Sequence, residues 1–229
     1  MFVTLTYDPE HLPSPPSLQP RDMQLWMKSL RSSVSRKPEL WKHNPNSPVR
    51  FFLCGEYGTH NKRPHYHAII YNARPVDEKK CGAMLYTSET LTETWQKGDV
   101  RFGNVTPSSA AYVAGYTTKK MEGVPVCDEN GEVLTPPFLR MSRRPGIGCG
   151  WIRTFAEDVS QGYIVDGDGQ QRAIPRYYRK KLEGSAVLDQ SDLHVYTRRK
   201  GKPPLTPQRL AAKEKIAQSR RALLKGRDL

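Results

Sequence analysis

Apolar and polar positions change period along the chain, and each change marks an element. Phe2-Val3-Thr4-Leu5-Thr6-Tyr7 alternates residue by residue and predicts a strand. Asp8-Pro9-Glu10 ends it, and Pro13, Pro15, Pro16 and Pro20 hold the next stretch as a loop. From Arg21 to Ser35 the period becomes helical, with Met23, Trp26, Met27 and Leu30 on one side. A second strand runs from Val49 to Glu56 around Phe51-Phe52-Leu53. The loop-like Tyr57 to Arg63 turns it back into Arg63-Pro64-His65-Tyr66-His67-Ala68-Ile69-Ile70-Tyr71, read as the second arm of an antiparallel hairpin. Further on, Leu91 to Trp95 predicts a short helix and Val100 to Val105 a strand. Thr106-Pro107 supplies an N-cap and a first-turn proline for a helix from Ser108 to Lys120. Glycines and prolines dominate from Met121 to Pro145. A strand pair at Tyr163–Val165 and Ala173–Pro175, turning at Asp166-Gly167-Asp168-Gly169, and a basic helix from Arg209 to Lys225 complete the pattern.

Alternation places His65 and His67 on one strand face and Tyr66 on the other. A hairpin centred on its loop sets Glu56 opposite His65, and Cys54 opposite His67, with Cβ atoms ~5 Å apart. Two imidazoles and a carboxylate on one face can hold a cation, and open positions suit Mg²⁺ or Mn²⁺ acting on phosphate. The alternative is two polar histidines on a wet face, with Glu56 paired to Arg50 or Lys62. On the helix after Thr106, Tyr112 and Tyr116 are four residues apart and share a face, which Lys119 and Lys120 extend. A packing stripe is the other reading of that spacing. Small Ala110, Ala111 and Ala114 allow close approach, and Gly115 sits where Ala would be ~1 kcal/mol more favourable.

Charge narrows the partner. The chain has 229 residues, is 37% hydrophobic and carries a net +13. From Arg176 to Leu229 there are 15 Lys and Arg against 5 Asp and Glu, so +10 of the +13 lies in that segment. A polyanion fits such a surface, and Tyr177, Tyr178 and Tyr196 interleave the charges. A merely solvated basic tail is the alternative. Cys54, Cys81, Cys127 and Cys149 are widely spaced, which argues against a zinc ribbon or a disulfide framework. No apolar run approaches a membrane span and no signal peptide is visible, so a cytosolic protein without membrane partners is expected.

Taken together, the His-hydrophobe-His strand, the acidic residue one strand earlier and Tyr112-x-x-x-Tyr116-x-x-Lys119-Lys120 resemble the HUH endonucleases, the rolling-circle replication initiators. Phe2 to Tyr7 is similar to that family's first motif. The wording is closer still to the initiators of microviruses, especially gokushovirus-like single-stranded-DNA bacteriophages. Those carry segments similar to Glu56-Tyr57-Gly58, Arg63-Pro64-His65-Tyr66-His67, Tyr112-Val113-Ala114-Gly115-Tyr116 and Met141-Ser142-Arg143-Arg144-Pro145-Gly146-Ile147-Gly148. The likeness covers roughly residues 2 to 155. Initiators of this kind usually carry residues ahead of the first motif, so a shortened or diverged N-terminus is expected.

The resemblance implies an α+β fold of the ferredoxin-like or RNA-recognition-like type, with a central, mostly antiparallel sheet and flanking helices. It implies an endonuclease domain over 1–155, a connector over 156–175 and a partly helical, DNA-contacting basic tail over 176–229. Glu56, His65 and His67 would hold Mg²⁺ or Mn²⁺. Tyr112 or Tyr116 would attack an origin hairpin of single-stranded DNA and form a 5′-phosphotyrosine link. Lys119 and Lys120 would hold a phosphate or manage the phenol proton. A host helicase and polymerase, in the bacterial cytoplasm, would extend the freed 3′-hydroxyl. Two rivals stay open: a plasmid initiator, relaxase or transposase of the same superfamily, and a non-catalytic single-strand binder stacking bases on Phe51 and Tyr66. No Gly-x-x-x-x-Gly-Lys loop is present, so no fused helicase is expected.

Overall fold

A computed structural model of the chain describes residues 1–58, 61–119, 126–127, 130–200 and 206–225, with side chains except at 116–119 and 221–225. The chain folds as two units, Met1–Ile147 and Gly148–Leu229.

The first unit is built on a seven-stranded sheet. Its strands are β1 (Phe2–Thr6), β2 (Arg50–Tyr57), β3 (Pro64–Tyr71), β4 (Lys79–Lys80), β5 (Tyr86–Thr87), β6 (Val100–Gly103) and β7 (Phe138–Met141). They lie in the order β7-β2-β3-β1-β6-β5-β4, with every neighbouring pair antiparallel. The hairpin of β2 and β3 pairs Glu56 with His65 and Cys54 with His67, the register expected of it. β1 lies on the other side of β3 and sets Thr4 beside His67.

Alternation then sorts side chains to two faces. Val3, Leu5, Leu53, Tyr66, Ala68, Ile70 and Phe102 join the main core. Helices α1 (Pro20–Arg36) and α2 (Glu89–Trp95) contribute Met23, Trp26, Met27, Leu30, Leu91 and Trp95 to the same core. Pro20 starts α1 where a missing N–H costs nothing, Asp22 complements the helix dipole, and Pro38 follows its end. The Ser88 side chain caps α2 by accepting from Leu91 N at 3.1 Å.

The opposite face belongs to α3 (Pro107–Lys119). Thr106 Oγ1 accepts from Ser109 N at 3.1 Å, and Thr106 N donates to Ser109 Oγ at 2.9 Å, a reciprocal cap that fixes where the helix begins. Val113 is fully buried and packs with Ala110 against Cys54, Ile69, Phe2 and Leu139. The small face of α3 therefore brings it down onto β2 and β3 beside the histidines.

The second unit contains α4 (Cys149–Thr154), α5 (Arg176–Lys181), α6 (Ala186–Arg199) and α7 (Pro207–Lys225). Ile152, Val159, Ile174 and Leu182 form its small core. The strand pair here differs from the sequence expectation: Ile164–Val165 pairs with Gln171–Arg172, and Ala173–Pro175 lies outside it. The Asp166 carboxylate accepts from Asp168 N and Gln170 N at 3.1 and 2.8 Å, so the turn closes early and frees Ile174 for the core. Along α7 every described side chain is exposed. The four cysteines are free thiols, and among the described residues no helix is long and apolar enough to cross a membrane.

Candidate metal and tyrosine site

Glu56 near the end of β2 and His65 and His67 on β3 converge because hairpin register and alternation leave them no other face. Glu56 Oε1 lies 3.1 Å from His65 Nε2 and 3.0 Å from His67 Nε2. The three residues form a cluster whose donor atoms lie within 4.8 Å of one another. Donors that share one metal ion at bonds of ~2.1 Å sit ~3.0 Å apart when they are neighbours, and the two Nε2–Oε1 separations match that spacing. One carboxylate oxygen and two imidazole nitrogens are a donor set that could hold a metal ion.

Both imidazoles are held from behind. His65 Nδ1 lies 3.2 Å from the Arg63 carbonyl, which can only accept, so Nδ1 carries a proton; Nε2 faces the Glu56 carboxylate, donates to it without metal, and is the atom that would bind a metal once that proton leaves. His67 Nδ1 lies 3.0 Å from Thr4 Oγ1, which can serve it the same way. The Phe2 ring stacks on His67 with centroids 5.5 Å apart and planes 6° from parallel.

Tyr112 reaches the cluster from α3. Its hydroxyl donates to Glu56 Oε1 at 2.5 Å, and its ring meets His67 edge-on at 5.2 Å. One carboxylate oxygen thus gathers two imidazoles and a phenol. Burial alone would raise the Glu56 pKa, but hydrogen bonds from His65, His67 and Tyr112 outweigh it and pull it down to about 2. Burial opposes the charged form of His65 as well, yet its bonds to Glu56 and the Arg63 carbonyl raise its pKa. Burial and the Glu56 carboxylate hold the Tyr112 phenol well above the ordinary tyrosine range.

The site thus brings together Glu56, His65, His67 and Tyr112. The side chains of Tyr116 and Lys119, and Lys120 altogether, lie outside the described residues. The stacking role that the binding-only rival gave Tyr66 is ruled out. That ring has no exposed surface, and its hydroxyl bonds Tyr7 Oη at 2.9 Å and accepts from Gln19 N at 2.8 Å. Phe51, the other ring of that rival, lies under the Arg31 guanidinium at 5.4 Å. Two supports escaped sequence reasoning, Thr4 and the Arg63 carbonyl. Alternation in β1 put Phe2 and Thr4 on one face, but nothing local says that β1 lies beside β3.

Comparison with known proteins adds a family model, that of the replication-associated protein ORF2 family, which matches residues 1–121 and so contains all four site residues. The chain is 40% identical over 185 residues to replication-associated protein VP4 of Bdellovibrio phage phiMH2K, covering 78% of this chain and 56% of that protein. It is 33% identical over 199 residues to replication-associated protein ORF2 of Spiroplasma virus 4, covering 80% and 57%. To replication-associated protein ORF4 of Chlamydia phage 1 it is 25% identical over 187 residues, covering 78% and 44%. The chain therefore spans about half the length of these curated relatives. No solved structure matches.

Proposed function

The chain belongs to the replication-associated protein ORF2 family, and from that premise we propose that it starts rolling-circle replication of a phage genome by nicking and rejoining single-stranded DNA. In this reading Glu56, His65 and His67 hold Mg²⁺ or Mn²⁺, which when bound supplies Lewis-acid polarisation of the scissile phosphate. Arg63 and Thr4 keep both Nε2 atoms turned toward that ligand. A Tyr112 oxygen attacks phosphorus, the bond to the 3′-oxygen breaks, and the chain is left joined to a 5′-phosphate while a 3′-hydroxyl is released. The proton the phenol gives up is the one the released 3′-oxygen gains; before the attack that hydroxyl is positioned by Glu56 Oε1 at 2.5 Å. Rejoining is the reverse displacement. Tyr116, one helical turn along α3, would cleave the regenerated origin so that the first link can resolve. Lys119 and Lys120 would steady the phosphate.

By the same reading, residues 1–155 act as the endonuclease domain, 156–175 as connector and 176–229 as the DNA-contacting tail. An origin hairpin is the substrate, and a helicase and polymerase of the bacterial host extend the free 3′-end in its cytoplasm.

The observation that carries this reading is the Tyr112 hydroxyl resting on the carboxylate that completes a Glu–His–His cluster. It is tested by incubating the protein with single-stranded fragments of the genome that encodes it, with Mn²⁺ or with EDTA, followed by denaturing gels. A covalent adduct that needs Mn²⁺ and is lost in Tyr112→Phe/Tyr116→Phe is expected. An adduct of equal yield in EDTA or in that double variant would overturn the proposal.

A further inference from the structure

The four tryptophans divide into two kinds. Trp26, Trp41 and Trp95 are each no more than 4% exposed, and each indole N–H donates to a protein oxygen: Thr94 Oγ1, Ser33 Oγ and the Thr6 carbonyl. Trp151 on α4 is 37% exposed, and among the described residues its indole N–H has no protein partner. It does not stand alone. Its ring stacks on Tyr178 with centroids 5.4 Å apart and planes 15° from parallel. Phe155, 47% exposed, continues on one side at 5.8 Å, and Tyr177 on the other at 6.2 Å from Tyr178.

The arrangement is held in place. Gly148 caps α4 at φ +80°, and a Cβ there would collide with the Tyr178 hydroxyl, so the glycine lets that ring lie against the helix start. Tyr178 also packs on the Ile152, Val159 and Leu182 core, which roots the row of rings in the unit's interior. Cations flank it: the Lys181 ammonium lies 5.8 Å over Tyr177, while Arg153, Arg176 and Lys180 are exposed and make no ion pair among the described residues. Arg179 is taken by Asp192 at 2.8 Å. Exposed apolar rings cost free energy in water, and a fixed row of them amid unpaired cations marks a binding surface. Flat π-faces at the centre and positive charge at the rim complement unpaired bases on a phosphate chain.

We propose that Trp151, Tyr178 and Phe155 form a stacking platform in the second unit for unpaired bases of single-stranded DNA. The flanking Lys and Arg residues take the phosphates. This rests on the reading that the chain acts on such DNA, and it adds base contacts to a segment otherwise suited to backbone charge alone.

The test titrates the full chain, in EDTA so that no metal-dependent cleavage runs, with a short oligo(dT) and with an abasic oligomer of the same length and charge. Trp151 emission should be quenched by oligo(dT), which should bind about tenfold more tightly than the abasic strand. Trp151→Ala should remove that advantage without changing abasic affinity, and Trp151→Phe should restore most of it. Equal affinities of the wild-type chain for the two strands would overturn the proposal without reliance on any variant. So would sedimentation showing that Trp151→Ala splits a dimer, which would make the patch a self-association face. The catalytic reading fails separately: a chain that prefers oligo(dT) yet forms no adduct keeps the platform and loses the nickase.

Discussion

Tyr66, in the central sheet itself, and Tyr112, on the helix that covers it, lie on opposite faces of β3, and both have phenols that resist ionisation. Burial pushes the Tyr66 pKa up to about 12, and burial with the Glu56 carboxylate pushes Tyr112 up as well. A raised pKa therefore does not mark a nucleophile. What separates them is company and access. Tyr66 is fully enclosed, and its hydroxyl joins Tyr7 and the Gln19 amide to tie β3 to the loop before α1. Tyr112 is 37% exposed, and its hydroxyl meets a carboxylate shared by two imidazoles. One strand thus carries a core residue, Tyr66, on one face and the two imidazoles of the Glu–His–His cluster on the other, because alternation sends them to opposite faces.

The division can be broken most severely from the core side. Leu53 is 1% exposed in the main cluster, one residue from the Cys54 that faces α3. Leu53→Ala should cost ~2–5 kcal/mol of unfolding free energy in urea, while molecules still folded keep their Mn²⁺ site. A loss of metal binding as large as the loss of stability would mean that the two faces are not independent.

A smaller effect is expected behind the ligands. Thr4→Val removes the oxygen beside His67 Nδ1 and should weaken Mn²⁺ binding ~10–100-fold, measured by calorimetry, with the melting temperature little changed. Unchanged affinity would remove Thr4 from the site.

The gentlest probe is pH. Without metal, the raised pKa of His65 means that its pairing with Glu56 contributes stability fully present below 6.5 and lost as pH rises through the raised value. The depressed pKa of Glu56 means that its share is present above 4.5 and lost as pH falls through about 2. Metal needs the neutral imidazole, so Mn²⁺ affinity should move the other way and strengthen from about pH 5.5 to about pH 8. A flat affinity profile would place the metal elsewhere.

How much of this was legible in the sequence depends on how local the cause was. The hairpin register followed from a short loop and period-two alternation, so Glu56 and His65 could be paired on paper. The start of α3 followed from Thr106 and Pro107. Thr4 was invisible because its contact with His67 spans 63 residues and depends on strand order. β7 was hidden as four residues between Pro136-Pro137 and the later glycines. In the second unit, α6 buries only Ser191, so no apolar stripe announced it, and α4 is six residues long. Tyr66 misled for a physical reason: an aromatic residue in a strand looks the same in sequence whether it faces water or a helix.

The central claim is that a cation held by Glu56, His65 and His67 faces a tyrosine on α3. Its most direct test is to digest the adduct formed with Mn²⁺ and origin-containing single-stranded DNA, and to map the nucleotide by mass spectrometry. The account predicts the added mass on the tryptic peptide 102–119, at Tyr112 or Tyr116, and no adduct from His67→Ala. Nucleotide on any other peptide, or an undiminished adduct from His67→Ala, would contradict it.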